Sequence, residues 1–179
     1  GGANILIATH DGMAICFRES DVRPMGRTAV GVRGIKLRPG DQVIGAVQAR
    51  LGTTLLTITE NGYGKRTPIE EYIRSGGEPQ HRGGFGLKGY QITEKTGKAA
   101  GVKMVEEEDD IMIISDDGTI IRMAAADVNV YSRTAQGVRV MRVSPETKVI
   151  SLARVPQESE EEETASPADG QTQPAQEEE

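Results

Sequence analysis

One cysteine, Cys16, and no tryptophan occur among 179 residues. A lone thiol excludes a disulfide framework and a cysteine-built zinc site, and it points to a reducing, cytoplasmic setting. Aromatic residues make up 3% of the chain, too few for a surface that stacks unpaired bases. Apolar runs are short, and none approaches the ~18 residues that a membrane-crossing helix needs, so no membrane partner is expected. No secretory leader is visible, and the Gly1-Gly2-Ala3 start without Met predicts a piece of a longer protein. The pattern also lacks a convincing amphipathic helix. The nearest candidate, residues 69–74, is too short, which excludes readout by a recognition helix in the major groove.

Catalytic groupings are missing as well, and no catalytic residue is expected. His10 and His81 fall at a hairpin turn and in a Gly-rich loop, with no recurrent carboxylate partner and no metal-ligand spacing. Cys16, between Ile15 and Phe17, reads as a buried inert thiol. The acidic run Glu106 to Asp110 lacks the ligand spacing of a calcium loop and reads as a solvated turn. Tyr131 occupies a register that recurs in other units, so it reads as structural. Gly83-Gly84-Phe85-Gly86 lacks the Gly-Lys-Ser/Thr ending of a phosphate loop. Neither a metal nor a cofactor is expected in this chain.

The formal charge of −6 conceals two populations. Residues 156–179 hold nine of the 27 acids and no base. Residues 1–155 therefore hold 18 acids against 21 bases, a net +3. The last 24 residues carry no large apolar side chain, which predicts a disordered acidic tail on a mildly basic body.

That body repeats itself. Runs starting at Asn4, Thr54 and Asp110 are each β-prone and end in Asp-Gly or Asn-Gly, at Gly12, Gly62 and Gly118. Asp-Gly or Asn-Gly between apolar runs signals a hairpin, because a type I′ turn needs positive φ at both central residues. A second cassette recurs downstream: Arg, three residues, Gly, one residue, then a base. It is Arg27–Gly31–Arg33, Arg82–Gly86–Lys88 and Arg133–Gly137–Arg139, the Gly standing four positions after the Arg. Three units of about four strands each follow, over residues 4–50, 54–108 and 110–155. The expected fold is all-β, a propeller-like partial disc of three blades plus the tail.

The bases at matched positions predict a periodic positive track. Arg27, Arg82 and Arg133 lie in the loops, Arg33, Lys88 and Arg139 begin the next strand, and Lys36 and Arg142 join them. Lys65, Arg66 and Arg122 follow the hairpin turns. With base stacking and groove-reading helices excluded, such a track suits phosphate contact with double-stranded DNA, largely blind to sequence. An acidic protein partner on a basic rim is the alternative.

Two stretches, Met25 to Leu37 and Thr59 to Thr67, resemble the C-terminal DNA-wrapping domain of gyrase A, one of the two kinds of DNA gyrase polypeptide. Gln80-His81-Arg82-Gly83-Gly84-Phe85-Gly86 is similar to that family's Gln-Arg-Arg-Gly-Gly-x-Gly heptad, with His81 in place of the first Arg. The resemblance implies a β-pinwheel whose neighbouring blades exchange strands and whose basic rim wraps duplex DNA. It also implies that this chain is about the last half of a six-bladed disc. Its parent would be a cytoplasmic, nucleoid-associated type IIA topoisomerase using ATP and Mg2+ elsewhere, with the rest of gyrase A and gyrase B as partners. The related domain of topoisomerase IV is a competing resemblance.

Overall fold

A computed structural model describes residues 4–21, 34–73 and 82–156. Eleven strands account for nearly half of them: β1 (Asn4–Thr9), β2 (Met13–Arg18), β3 (Val43–Ala49), β4 (Thr54–Thr59), β5 (Tyr63–Pro68), β6 (Leu87–Lys88), β7 (Ala99–Val105), β8 (Asp110–Ser115), β9 (Ile120–Ala124), β10 (Val138–Arg139) and β11 (Val149–Val155). Each predicted hairpin forms. The β1–β2, β4–β5 and β8–β9 pairs are antiparallel, and Gly12, Gly62 and Gly118 turn them with φ of 84°, 84° and 87°.

The strands make three sheets, ordered β3-β1-β2-β6, β10-β5-β4-β7 and β11-β8-β9. This order departs from the sequence repeat in one respect. The short strand of the second unit, β6, pairs with β2 of the first, and β10 of the third unit pairs with β5 of the second. Neighbouring blades therefore exchange strands, and the architecture is a β-pinwheel. In the first unit the matching segment around Ile35 forms no strand. It lies against the second unit's loop, with Lys36 N donating to Gly84 O and Gly83 N to Gly34 O, both at 2.7 Å.

Alternation along the hairpins divides side chains between two faces. Leu6, Ala8, Ala14 and Cys16 on the first sheet face Leu55, Ile69, Tyr72, Val102 and Met104 of the second unit. On the other face of β4 and β7, Leu56, Ile58 and Val105 meet Ile111, Ile113, Val149 and Leu152 of the third. Each such Leu or Ile, buried from water, contributes about 1.5–3 kcal/mol. Ile15, Phe17 and Ile35 form a smaller cluster on the first sheet's far side. Strand β7 packs against both β3 and β11. The fourth strands of the units thus gather together, and β6 and β10 lie on the opposite, outer edges of their sheets.

Candidate nucleic-acid interface

The outer edge is built where units interlock. At the first junction β6 docks on β2 with Ala14 opposite Leu87 and Met13 opposite Lys88. At the second, β10 docks on β5 with Gly64 opposite Val138 and Tyr63 opposite Arg139. The recurrent cassette glycine makes each approach possible. A Cβ on Gly86 would stand 2.2 Å from the carbonyl oxygen of Ala14, and one on Gly137 would stand 2.3 Å from that of Gly64. The hairpin glycines take part too. Gly89 and Tyr90 donate their amides to Gly12 O, and Val140 and Met141 donate theirs to Gly62 O, at 2.7 to 3.1 Å.

Basic side chains fall into two groups. The first group is ion-paired and fastens the fold. Lys98 reaches Asp11 at 2.5 Å and Lys148 reaches Glu60 at 3.6 Å, each tying a unit to the preceding hairpin turn. Arg122, expected on the basic track, is exposed but bonded to Asp110 at 2.9 Å within its own sheet. Arg154 forks onto Asp109 at 2.6 and 3.2 Å. Burial alone raises the Asp109 carboxyl. The Arg154 fork and the Glu106 amide more than offset that, holding it below the usual carboxylate range.

The second group lies at the two junctions, each around one aromatic ring. Lys36 and Arg38 stand 5.0 and 4.7 Å from the centre of Phe85. Lys95 and Arg139 stand 5.6 and 5.4 Å from the centre of Tyr63. Arg139 Nη2 also donates to the Tyr63 hydroxyl at 3.3 Å. Among the described residues no carboxylate pairs with Lys36, Arg38, Lys95, Arg139 or Arg142. Tyr63, Lys95, Gln136, Arg139 and Arg142 line an open concavity of about 650 Å³. A cation resting on a ring face keeps its N–H groups directed outward, where an anionic oxygen can accept them.

Two expected track residues are not on this surface. Lys65 and Arg66 are buried, at 0% and 5% exposure. Lys65 Nζ donates to the carbonyl oxygens of Ser132, Arg133 and Ala135, and Arg66 Nε donates to that of Val128 at 2.6 Å. Both side chains are buried against the next unit, which corrects their placement among the exposed bases. Lys88 is exposed and bonded to Gln91. Arg133 is half-buried and donates to the Lys88 carbonyl, and Arg82 is exposed at the start of its loop. Arg27 and Arg33, Gln80 and His81 of the heptad, and the acidic tail from residue 157 lie outside the described residues. Of the heptad's remainder, Gly86 docks the exchanged strand and Phe85 carries two cations.

Arg38 and Lys95 were absent from the predicted track, although a signal for them exists. Each stands two residues before a glycine with positive φ, Gly40 or Gly97, in the tight turn that precedes its unit's last strand.

A family model described as the DNA gyrase C-terminal domain, beta-propeller, matches residues 3–50, 53–106 and 109–156. The chain belongs to this family. The gyrase A polypeptide of Staphylococcus aureus strain MRSA252 is 43% identical over 164 residues, covering 90% of this chain. The chain spans only 18% of that relative's length. A solved DNA gyrase A C-terminal domain superposes with a TM-score of 0.77 at 26% identity, over 86% of this chain and 51% of that one. A solved topoisomerase IV C-terminal domain gives 0.78 at 23% identity, over 87% and 47%, and so shares the fold. The gyrase-family model thus matches the chain in three segments, while the hydrogen-bonded sheets run across them.

Proposed function

We propose that this chain binds duplex DNA through its phosphate backbone, along the outer edge formed by the two strand-exchange junctions. The observation that carries this reading is the pair of aromatic rings, Phe85 and Tyr63, each flanked by two cations with no carboxylate partner among the described residues. The ring faces are occupied by cations, so they are not offered to unpaired bases. Backbone contact without base readout suits a protein that accepts any sequence. Bending 20–30 base pairs by 40–90° costs about 1–6 kcal/mol, so the edge has to supply several phosphate contacts. In a parent type IIA topoisomerase this edge would wrap DNA and pass a neighbouring segment to the cleavage core. Strand passage would then be biased toward negative supercoiling, with the rest of gyrase A and gyrase B as partners.

The test is binding of a mixed-sequence duplex by the full chain across a salt series. Six phosphate contacts give a slope of log affinity against log salt of about −5. A slope near zero, or a strong preference for one sequence, overturns the proposal.

A further inference from the structure

The loop that bears Arg133 has no regular structure of its own, yet the carbonyls of Ser132, Arg133, Ala135 and Gln136 and the amide of Arg133 are all bonded from the unit before. Lys65 supplies half of these contacts. Its Nζ lies 2.9 Å from Ser132 O, 2.6 Å from Arg133 O and 2.9 Å from Ala135 O. Glu71 accepts the amide of Arg133 at 2.9 Å, the Tyr90 hydroxyl donates to Gln136 O, and Gln91 N donates to Ala135 O at 3.3 Å. The Tyr90 ring closes over the Lys65 ammonium at 4.8 Å. The same loop runs directly into Gly137 and β10, and so into Arg139 and the concavity beside Tyr63.

A lysine in this place is not shared by the three units of this chain. Aligned on the hairpin glycines, Lys65 falls where the first unit has Ile15 and the third has Ile121. Ile15 meets the second unit's Gly-rich loop with carbon alone. Where the first junction is apolar, the second places an ammonium.

We propose that Lys65 is a positioning residue for the DNA-binding edge, its buried ammonium gathering three carbonyls to hold the Arg133–Arg139 segment in its binding shape. Loss of one proton from Lys65 weakens the hold on that segment. A protonated lysine offers three charge-assisted N–H groups to three carbonyl oxygens, whereas a neutral amine offers two weaker ones. Ser132 O and Ala135 O also accept from the amides of Ala135 and Gln91, so the bond to Arg133 O depends most on Lys65. The edge is therefore held most tightly while Lys65 keeps its charge.

The surroundings set that charge close to its balance point. The Lys65 ammonium is brought from its ordinary value down to about 7, chiefly by burial, with Glu71 acting upward and Arg133 downward. Tyr90 faces it from the segment after β6, and burial keeps that phenol protonated and uncharged, well above its ordinary value. Thr57 lies opposite on β4 and does not titrate. A phosphate seated near Arg133 and Arg139 adds negative charge on the far side of the loop and favours the protonated form. DNA binding above neutral pH therefore draws in a proton.

This inference rests on the DNA-binding reading, and two measurements on the full chain keep them apart. The first follows the Lys65 Nζ by NMR from pH 6 to 9 in the free protein, together with exchange protection of the amides at 132–137. The expected result is one midpoint for both. Amides whose protection ignores the lysine's titration overturn the proposal. The second compares duplex affinity at pH 6 and pH 9 for the native chain and Lys65→Met. The native chain should lose affinity about fivefold across the range, the scale of one unmade hydrogen bond. Lys65→Met should sit at the weaker level throughout. Parallel pH profiles overturn the positioning role. No binding at any pH overturns the DNA reading instead, and the amide measurement then decides on Lys65 alone. Should Lys65→Met fail to fold, the native NMR titration decides.

Discussion

The backbone of Gly137 lies so close to Gly64 that a Cβ there would stand 2.3 Å from the Gly64 carbonyl oxygen. These two glycines belong to different repeat units, and their contact is where the third unit's outer strand docks on the second. The φ of Gly137 is also +69°, a region that L side chains rarely adopt. Gly137→Ala should lower the free energy of unfolding by roughly 2–3 kcal/mol, combining steric clash and backbone strain. Gly40→Ala separates the two effects. Gly40 has a φ of +83° but nothing within 4 Å of its would-be Cβ. Its substitution should cost only about 1 kcal/mol of backbone strain. Urea unfolding of both variants checks the pair; equal losses would mean the close approach does not matter.

The junction cations should be separable from the structural ones by salt dependence. Replacing Lys95, Arg139 and Arg142 together with Ala removes three candidate phosphate contacts. The salt slope of duplex binding should then become shallower by about 2.7, at 0.9 per contact. Arg154→Ala should instead lower stability, because Arg154 is committed to Asp109. Affinity measured at four salt concentrations and a melting curve for each variant distinguish these outcomes.

Asp109 links stability to acid. Its folded carboxyl titrates below its unfolded one, despite burial, because Arg154 and the Glu106 amide favour the charged form. The stabilisation is therefore fully present above the unfolded value of about 3.9 and is lost as pH falls through the lower folded value. Asp109→Asn should cost about 1–3 kcal/mol at pH 7, the range for unpairing one partner of a buried hydrogen-bonded pair. The difference between native and variant should shrink steadily below pH 4. Denaturant titrations at pH 7, 5 and 3 supply the comparison.

Cys16 should behave as an inert core group. It is fully buried, and burial pushes its thiol up to about 11. Reaction with a thiol-specific reagent at pH 8 should be negligible in the folded protein and should appear only with unfolding. Rapid modification under native conditions would contradict the packing of β2 against the second sheet.

Much of the fold was legible because its signals are local. Asp-Gly and Asn-Gly turns fix the three hairpins, and the β-prone runs that lead into them mark β1, β4 and β8. Reading the chain alone does not show which sheet receives Leu87–Lys88 or Val138–Arg139, since that pairing spans about 75 residues and follows from backbone fit at Gly86 and Gly137. Counting bases also misplaces Lys65 and Arg66. A cation is expected outside unless a partner is known, and here the partners are carbonyls about 65 residues away. The alignment of Lys65 with Ile15 and Ile121 was the available clue, because it sets a charge where the other units place an aliphatic side chain.

Strand exchange also imposes a schedule on synthesis. A ribosome delivers β2, ending at Arg18, long before β6 at Leu87, and β5, ending at Pro68, long before β10 at Val138. At about 5–20 residues per second, the first sheet waits several seconds with its outer edge unpaired before the second unit can complete it. Each nascent blade is thus finished by its successor, so the pinwheel closes in the order in which it is translated.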